Sequence, residues 1–305
     1  MIEQTLVFGP DQHLIGTVTT AKSPMVGQER TMALLTNAGV IPRIGPHRLN
    51  VLLARHFAAM GIATLRFDMS GLGDSRRSGS RRSTGEQFVA DTRSAMDLAQ
   101  AHFGAERFFM VGFCSGGDVA NLVAHEDERL RAIVLWDSYV YPTRRAKLIG
   151  LVHRLRRHSL RTLARKCLQR TGRLASPARK EPGSAEVILA PSIFGRTQMP
   201  SRDDFGRRIR ALVDRGVEVF FLYSGGEPEW YNYPGQFRDM FGSYGFVDRV
   251  EYDYLIRSDH TFIQPHAQQA LIARVDQWLK DRALPAMRGS DAADTGVRPS
   301  ALKVA

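Results

Sequence analysis

The chain has 305 residues, 43% hydrophobic and 24% charged, ordinary proportions for a globular protein and enough length for one large α/β domain carrying an insertion. Its start, Met1-Ile2-Glu3-Gln4, has no apolar run, and no stretch approaches the roughly 18 apolar residues that span a bilayer, so neither a signal peptide nor a membrane anchor is expected and a cytoplasmic location is. A formal charge of +11 raises the question of nucleic acid, but there is no zinc-finger spacing and no aromatic RNA-binding signature, which argues against it. The two cysteines, Cys114 and Cys167, lie in dissimilar segments and suggest free thiols in a reducing compartment, with neither a disulfide nor a zinc site.

In chain order, residues 4–8 and 13–20 read as two strands joined by Gly9-Pro10-Asp11, a hairpin signal. Residues 31–36 form a buried strand that ends in Asn37-Ala38-Gly39, and a polar loop leads to a periodic helix at 48–60. Strand 62–68 runs into a Gly-rich turn, Ser70-Gly71-Leu72-Gly73-Asp74-Ser75, and an Arg/Ser/Gly-rich stretch precedes a long helix at 85–102. Strand 107–113, a turn at Cys114, a helix from Ser115 to about His125 and strand 131–136 follow. Alternation stops across 140–202, which is basic and helical in propensity, and resumes with helix 203–215, strand 217–223, helix 235–242, strand 248–255 and helix 265–281.

Strand–helix alternation with continuously apolar strands implies a mainly parallel sheet covered by helices on both faces. The expected organisation is a core of 1–139 and 203–283, a basic helical cap at 140–202 inserted after the sixth strand, and an unstructured tail at 284–305. Inserted there, the cap lies over the carboxyl ends of the strands, where open α/β sheets bind ligands.

The motif that carries chemistry is Gly112-Phe113-Cys114-Ser115-Gly116 between a strand and a helix. A nucleophile lifted on such a sharp turn needs small residues two places before and after it. Centred on Cys114 the flanks are Gly112 and Gly116; centred on Ser115 they are Phe113 and Gly117, so the turn favours Cys114. A buried, inert cysteine is the plain alternative, but the flanking strand and helix count against it. At a helix N-terminus the dipole and free N–H groups favour thiolate, and the Ser115 N–H becomes one oxyanion donor.

A base and an orienting acid are expected further along the chain. His260, in a loop between the last strand and the last helix, is the expected base, and Glu227, after strand 217–223 and two glycines, is the first choice of acid. Asp137, after strand 131–136, and Glu229 are the alternatives. The second oxyanion donor is expected from the Ala38 N–H, with Gly39 next and the Asn37 side chain well placed. Arg43, His47 and Arg48 follow in the same loop and are candidates for binding an anionic part of the substrate, with pairing to Asp68 or Asp74 as the alternative role.

These residues resemble the α/β-hydrolase superfamily. Asp68-Met69-Ser70-Gly71-Leu72-Gly73-Asp74-Ser75 looks like its Asp-x-x-Gly-x-Gly-x-Ser signature, the Cys114 turn resembles the cysteine elbow of dienelactone hydrolases, and Asn37-Ala38-Gly39 with Arg43 to Arg48 is similar to exosortase-associated and other biosynthetic-cluster hydrolases. The resemblance implies an acyl-cysteine intermediate formed on a small-molecule thioester, lactone or activated ester, carrier-protein- or CoA-tethered forms included, with no metal or organic cofactor. Transfer of the acyl group to a hydroxyl or amine, and a non-catalytic scaffold on the same fold, are the competing functions.

The insertion has its own pattern. Residues 144–170 carry Arg144, Arg145, Lys147, Arg154, Arg156, Arg157, Arg161, Arg165, Lys166 and Arg170 among leucines, and Leu148, Leu151, Val152 and Leu155 keep helical spacing, which predicts an amphipathic basic helix. Its expected roles are a cap packed by its leucines, a surface for an acidic partner, or a peripheral contact with an anionic membrane.

Overall fold

The computed structural model describes residues 1–157, 199–226, 228 and 230–288. Eight strands form one sheet: β1 (Ile2–Phe8), β2 (Leu14–Thr20), β3 (Thr31–Leu35), β4 (Ala63–Asp68), β5 (Arg107–Phe113), β6 (Leu130–Trp136), β7 (Glu218–Ser224) and β8 (Glu251–Leu255). Their order is β1-β2-β4-β3-β5-β6-β7-β8. The opening hairpin is antiparallel, β2 pairs antiparallel with β4, and every other pairing is parallel.

The helices are α1 (Leu49–Ala59), α2 (Thr84–Phe103), α3 (Ser115–Glu126), α4 (Arg144–Arg157), α5 (Arg202–Asp214), α6 (Gln236–Phe241) and α7 (Pro265–Trp278). The central strands are buried at nearly every position because both faces are covered, and they sort their side chains by parity. Met32 and Leu34 of β3, with Phe108 and Met110 of β5, face a core closed by α2, α3, α5 and α6. Ala33 and Leu35, with Phe109, Val111 and Phe113, face a second core closed by α1 and α7. Helix α2 starts where Ser83 and Glu86 form a reciprocal capping box.

One expectation changes at the end of the chain. Residues 284–288 continue the last helical segment rather than beginning an unstructured tail. Leu284 and Met287 are buried in the α1–α7 core, and their carbonyls accept from Gln28 Nε2 at 3.1 Å and from Arg107 Nη1 at 3.3 Å. The segment is too short to show a period of its own, so its two core residues pass unnoticed in the sequence. Of the insertion, α4 is described up to residue 157; Cys167 and the basic residues beyond 157 lie outside the described residues.

Candidate active site

Cys114 connects β5 to α3 with φ 51° and ψ −117°, a left-handed conformation that costs a non-glycine residue about 1–2 kcal/mol. The surrounding packing enforces it. A Cβ on Gly112 would lie 2.4 Å from the Gly116 carbonyl oxygen, and one on Gly116 would lie 2.8 Å from the Asn37 carbonyl oxygen. Both glycine flanks of the motif are therefore contact requirements of the turn, as the centring on Cys114 assumes. Four of the seven described non-glycine residues with positive φ, Cys114, Asp137, Tyr139 and Phe262, cluster in this region, and such backbone strain concentrates at functional sites.

His260, in the loop between β8 and α7, forms a side-chain hydrogen bond with Cys114. Its ring packs on Phe113 with centroids 4.7 Å apart, and Phe113 packs in turn on Trp136 at 4.2 Å. His260 Nδ1 lies 2.9 Å from Asp137 Oδ2. Burial alone would lower the imidazole pKa; the hydrogen bonds and charges of Asp137 and Cys114 outweigh it and push the group up to about 10.

Asp137 follows the last residue of β6, with φ 49°. Its carboxylate accepts from the Ser224 N–H at 2.7 Å and the Ser224 hydroxyl at 2.6 Å, so the end of β7 holds the acid that leaves the end of β6. Among the described residues the carboxylate bonded to His260 is thus Asp137, an alternative to Glu227 in the sequence. Glu227 and Glu229 lie outside the described residues. The glycines before Glu227 have a contact role of their own: a Cβ on Gly225 would stand 2.0 Å from the Ile256 carbonyl oxygen, and one on Gly226 would stand 2.1 Å from the His260 backbone nitrogen. They let the β7 loop run against the histidine loop. Ser224 went unnoticed because a serine closing an apolar strand carries no signal of its own.

The loop after β3 sits against the elbow. Ala38 is bridged to Ile41, whose N–H donates to the Ala38 carbonyl at 3.0 Å. Ser115 opens α3, so its N–H has no acceptor within the helix, while its buried hydroxyl accepts from the Gly39 N–H at 2.7 Å. Two expectations change here. The Gly39 N–H is engaged by Ser115 Oγ, and the Asn37 side chain is committed to structure, donating to Ile41 O and Asp68 Oδ1 and accepting from Met69 N at 2.8 Å.

Arg43 is corrected as well. Its guanidinium pairs with both Asp68 and Asp74, and its backbone N–H donates to Asp68 at 2.6 Å. Asp68 is fully buried and also accepts from the Asp74 N–H. The Asp-x-x-Gly-x-Gly-x-Ser stretch is therefore a turn wrapped around one carboxylate: a Cβ on Gly73 would come within 2.4 Å of it. His47 and Arg48 stand exposed, and among the described residues the His47 side chain makes no hydrogen bond or ion pair.

Sheet order, an elbow between β5 and α3, and a histidine between the last strand and the last helix decide the architecture. The chain has the α/β-hydrolase fold. Residues 47–185 match the sequence model of the serine aminopeptidase S33 family of hydrolases. A search of curated proteins finds no match in sequence. Among solved structures, the chain is similar to a proline iminopeptidase of Mycobacterium smegmatis, with 16% identity over 93% of this chain and 100% of that one and a TM-score of 0.60. It is also similar to an esterase of Pyrococcus furiosus (13% identity, 92% and 93% covered, TM-score 0.56) and a putative hydrolase of Agrobacterium vitis (20% identity, 90% and 98% covered, TM-score 0.53). The matched family is named for serine, whereas the elbow residue of this chain is Cys114.

Proposed function

We propose that this α/β-hydrolase cleaves a thioester, lactone or activated ester through a covalent acyl-cysteine intermediate, with Cys114 as nucleophile, His260 as proton carrier and Asp137 as the orienting acid. The observation that carries the reading is the chain of contacts from Cys114 at the strained elbow to His260 and from His260 Nδ1 to Asp137.

In the proposed cycle the Cys114 thiolate attacks the carbonyl carbon, and the oxyanion that forms is met by the N–H groups of Ser115 and Ala38. When the carbonyl re-forms, the leaving group departs with the proton given up by His260 Nε2. The neutral His260 then takes a proton from water, the resulting hydroxide attacks the acyl carbon, and the thiolate leaves while the imidazolium is restored. Asp137 keeps Nδ1 protonated throughout and so assigns Nε2 to the chemistry. Thiolates expel good leaving groups readily, which favours thioesters and activated esters over amides.

The test is turnover of a panel of acyl thioesters and aryl esters by wild type, Cys114→Ala and Ser115→Ala, with intact-mass spectra of the quenched reactions. The reading expects the cysteine variant to be inactive, the serine variant to retain most turnover, and an acyl mass on the Cys114 peptide. Loss of activity in the serine variant with retention in the cysteine variant refutes it, and acyl products formed on an added alcohol or amine would assign the acyl-enzyme to transfer.

A further inference from the structure

The carboxyl edge of the sheet carries a surface that the proposed chemistry does not use. Segments 39–48, 137–152 and 256–264 follow β3, β6 and β8, which run parallel to one another through the sheet, so all three emerge at the edge where Cys114 sits. Each projects large aliphatic side chains into solvent. Val40, Ile44, Leu148, Leu151, Ile256 and Ile263 are 46 to 69% exposed.

On α4 the orientation is settled by its contacts. Asn232 Nδ2 donates to the Ala146 carbonyl at 3.0 Å, the Thr143 hydroxyl meets Tyr233 Oη at 2.7 Å, and Ala146 is buried. The α4 start is therefore bolted to the loop after β7 by its inner side, and Leu148, Leu151 and Val152 are left on the outer side. That reverses the packing expected of a cap helix, in which the leucines face inward.

The exposed, unpaired charge on these three segments has one sign. Arg48, Arg144, Lys147 and Arg257 are exposed and, among the described residues, form no ion pair. Segment 39–48 contains no acid, 137–152 contains Asp137 alone, whose carboxylate is occupied by Ser224 and His260, and 256–264 contains Asp259 alone, whose carboxylate is occupied by Thr261 and Ile263.

We infer that the carboxyl edge docks on an anionic phospholipid surface, with the aliphatic side chains entering the headgroup boundary and the arginines and lysine meeting lipid phosphates. A protein partner of acidic chemistry would complement the charge alone. Separate aliphatic tips from three segments present no common groove for a folded partner to fill, whereas a bilayer accepts each of them without shape complementarity. The docking is independent of the acyl-cysteine reading, because it concerns binding and not turnover.

The experiment is sedimentation of the full chain with phosphatidylglycerol–phosphatidylcholine vesicles and with pure phosphatidylcholine vesicles, at low and high salt. Three variants are compared: Leu148→Glu with Ile256→Glu, Arg144→Glu with Lys147→Glu, and Val26→Glu. Val26 is an exposed aliphatic residue in the loop before β3, at the opposite edge, and serves as the control; circular dichroism melts check that all three fold. The expected result is binding to the anionic vesicles that weakens with salt, and that falls roughly tenfold or more in each carboxyl-edge variant and about twofold or less in the control. Absence of binding to anionic vesicles, equal binding to neutral vesicles, or equal losses in the control overturns the inference. So does retention on immobilised polyglutamate that matches wild type in the Leu148→Glu, Ile256→Glu variant while vesicle binding is absent, the outcome that an acidic protein partner would give.

Discussion

Asp137→Asn is the sharpest perturbation of the proposed triad, because the substitution keeps the shape of the side chain and removes its charge. In the native site Asp137 takes hydrogen bonds from the Ser224 N–H, the Ser224 hydroxyl and His260 Nδ1. Together with Cys114 it carries the imidazole from an ordinary value of 6.5 to about 10 against the opposing effect of burial. That span is worth about 5 kcal/mol in favour of the imidazolium, shared between the two partners. An asparagine retains an oxygen for the Ser224 N–H, but an amide N–H turned toward His260 selects the tautomer whose proton sits on Nε2, facing Cys114. At tenfold per 1.4 kcal/mol the ceiling on the loss is three to four orders of magnitude, and we expect kcat/KM to fall on the order of 10³-fold. The assay is steady-state turnover of a thioester, paired with the pH profile of Cys114 alkylation by iodoacetamide. In the variant only Cys114 opposes burial, so His260 titrates lower than in wild type, and alkylation at neutral pH slows. An Asn variant within about tenfold of wild type would refute the assignment, and a comparable loss appearing instead in Glu227→Gln would move the acid to Glu227.

Further expectations concern the scaffold. Arg43→Ala leaves the fully buried Asp68 without its guanidinium and should cost about 3–5 kcal/mol of stability, read as a lowered denaturation midpoint; an unchanged midpoint with a raised KM would return Arg43 to the substrate. Ser115→Ala removes the acceptor of the Gly39 N–H and should lower stability by about 1–2 kcal/mol while sparing most turnover, measured by urea unfolding alongside kcat. Because folded His260 holds its proton more tightly than the unfolded chain does, its stabilising contribution is complete below about 6.5 and is lost as pH rises through about 10; thermal melts across that window should show the decline in wild type and its absence in Asp137→Asn. Asp118 behaves in the opposite sense. Burial lifts it to about 7 against a hydrogen bond from Tyr139, so its cost to stability grows as pH rises from about 3.8 to about 7, and Asp118→Asn should melt higher than wild type at pH 8 and no higher near pH 4.

Much of the fold was legible because its signals are local. The apolar runs of β3 to β7, the Gly-rich turn after β4 and the glycines flanking Cys114 each state a steric or burial requirement within a few residues of chain. The tight turn at Cys114 and the loop place of His260 were legible for the same reason: a strand, a turn and a helix locate the first, and its slot between the last strand and the last helix locates the second. The role of Arg43 was left open between substrate and Asp68 because both readings need the same cation in the same loop.

What only the tertiary structure decided are the pairings across strands. Asp137 meets His260 across 123 residues of sequence, and the order of β6, β7 and β8 in the sheet sets the ends of β6 and β7 side by side so that Ser224 can hold Asp137. The glycines after β7 also give clearance for the histidine loop, a contact that no spacing along the chain encodes. The outward face of α4 is of the same kind. Its amphipathic period is in the sequence, but which side turns inward depends on Asn232 and Tyr233 and on the loop that carries them to the helix. A sequence determines periodicity and local strain because these act between near neighbours; partners distant in the chain are chosen by the packing of the whole sheet.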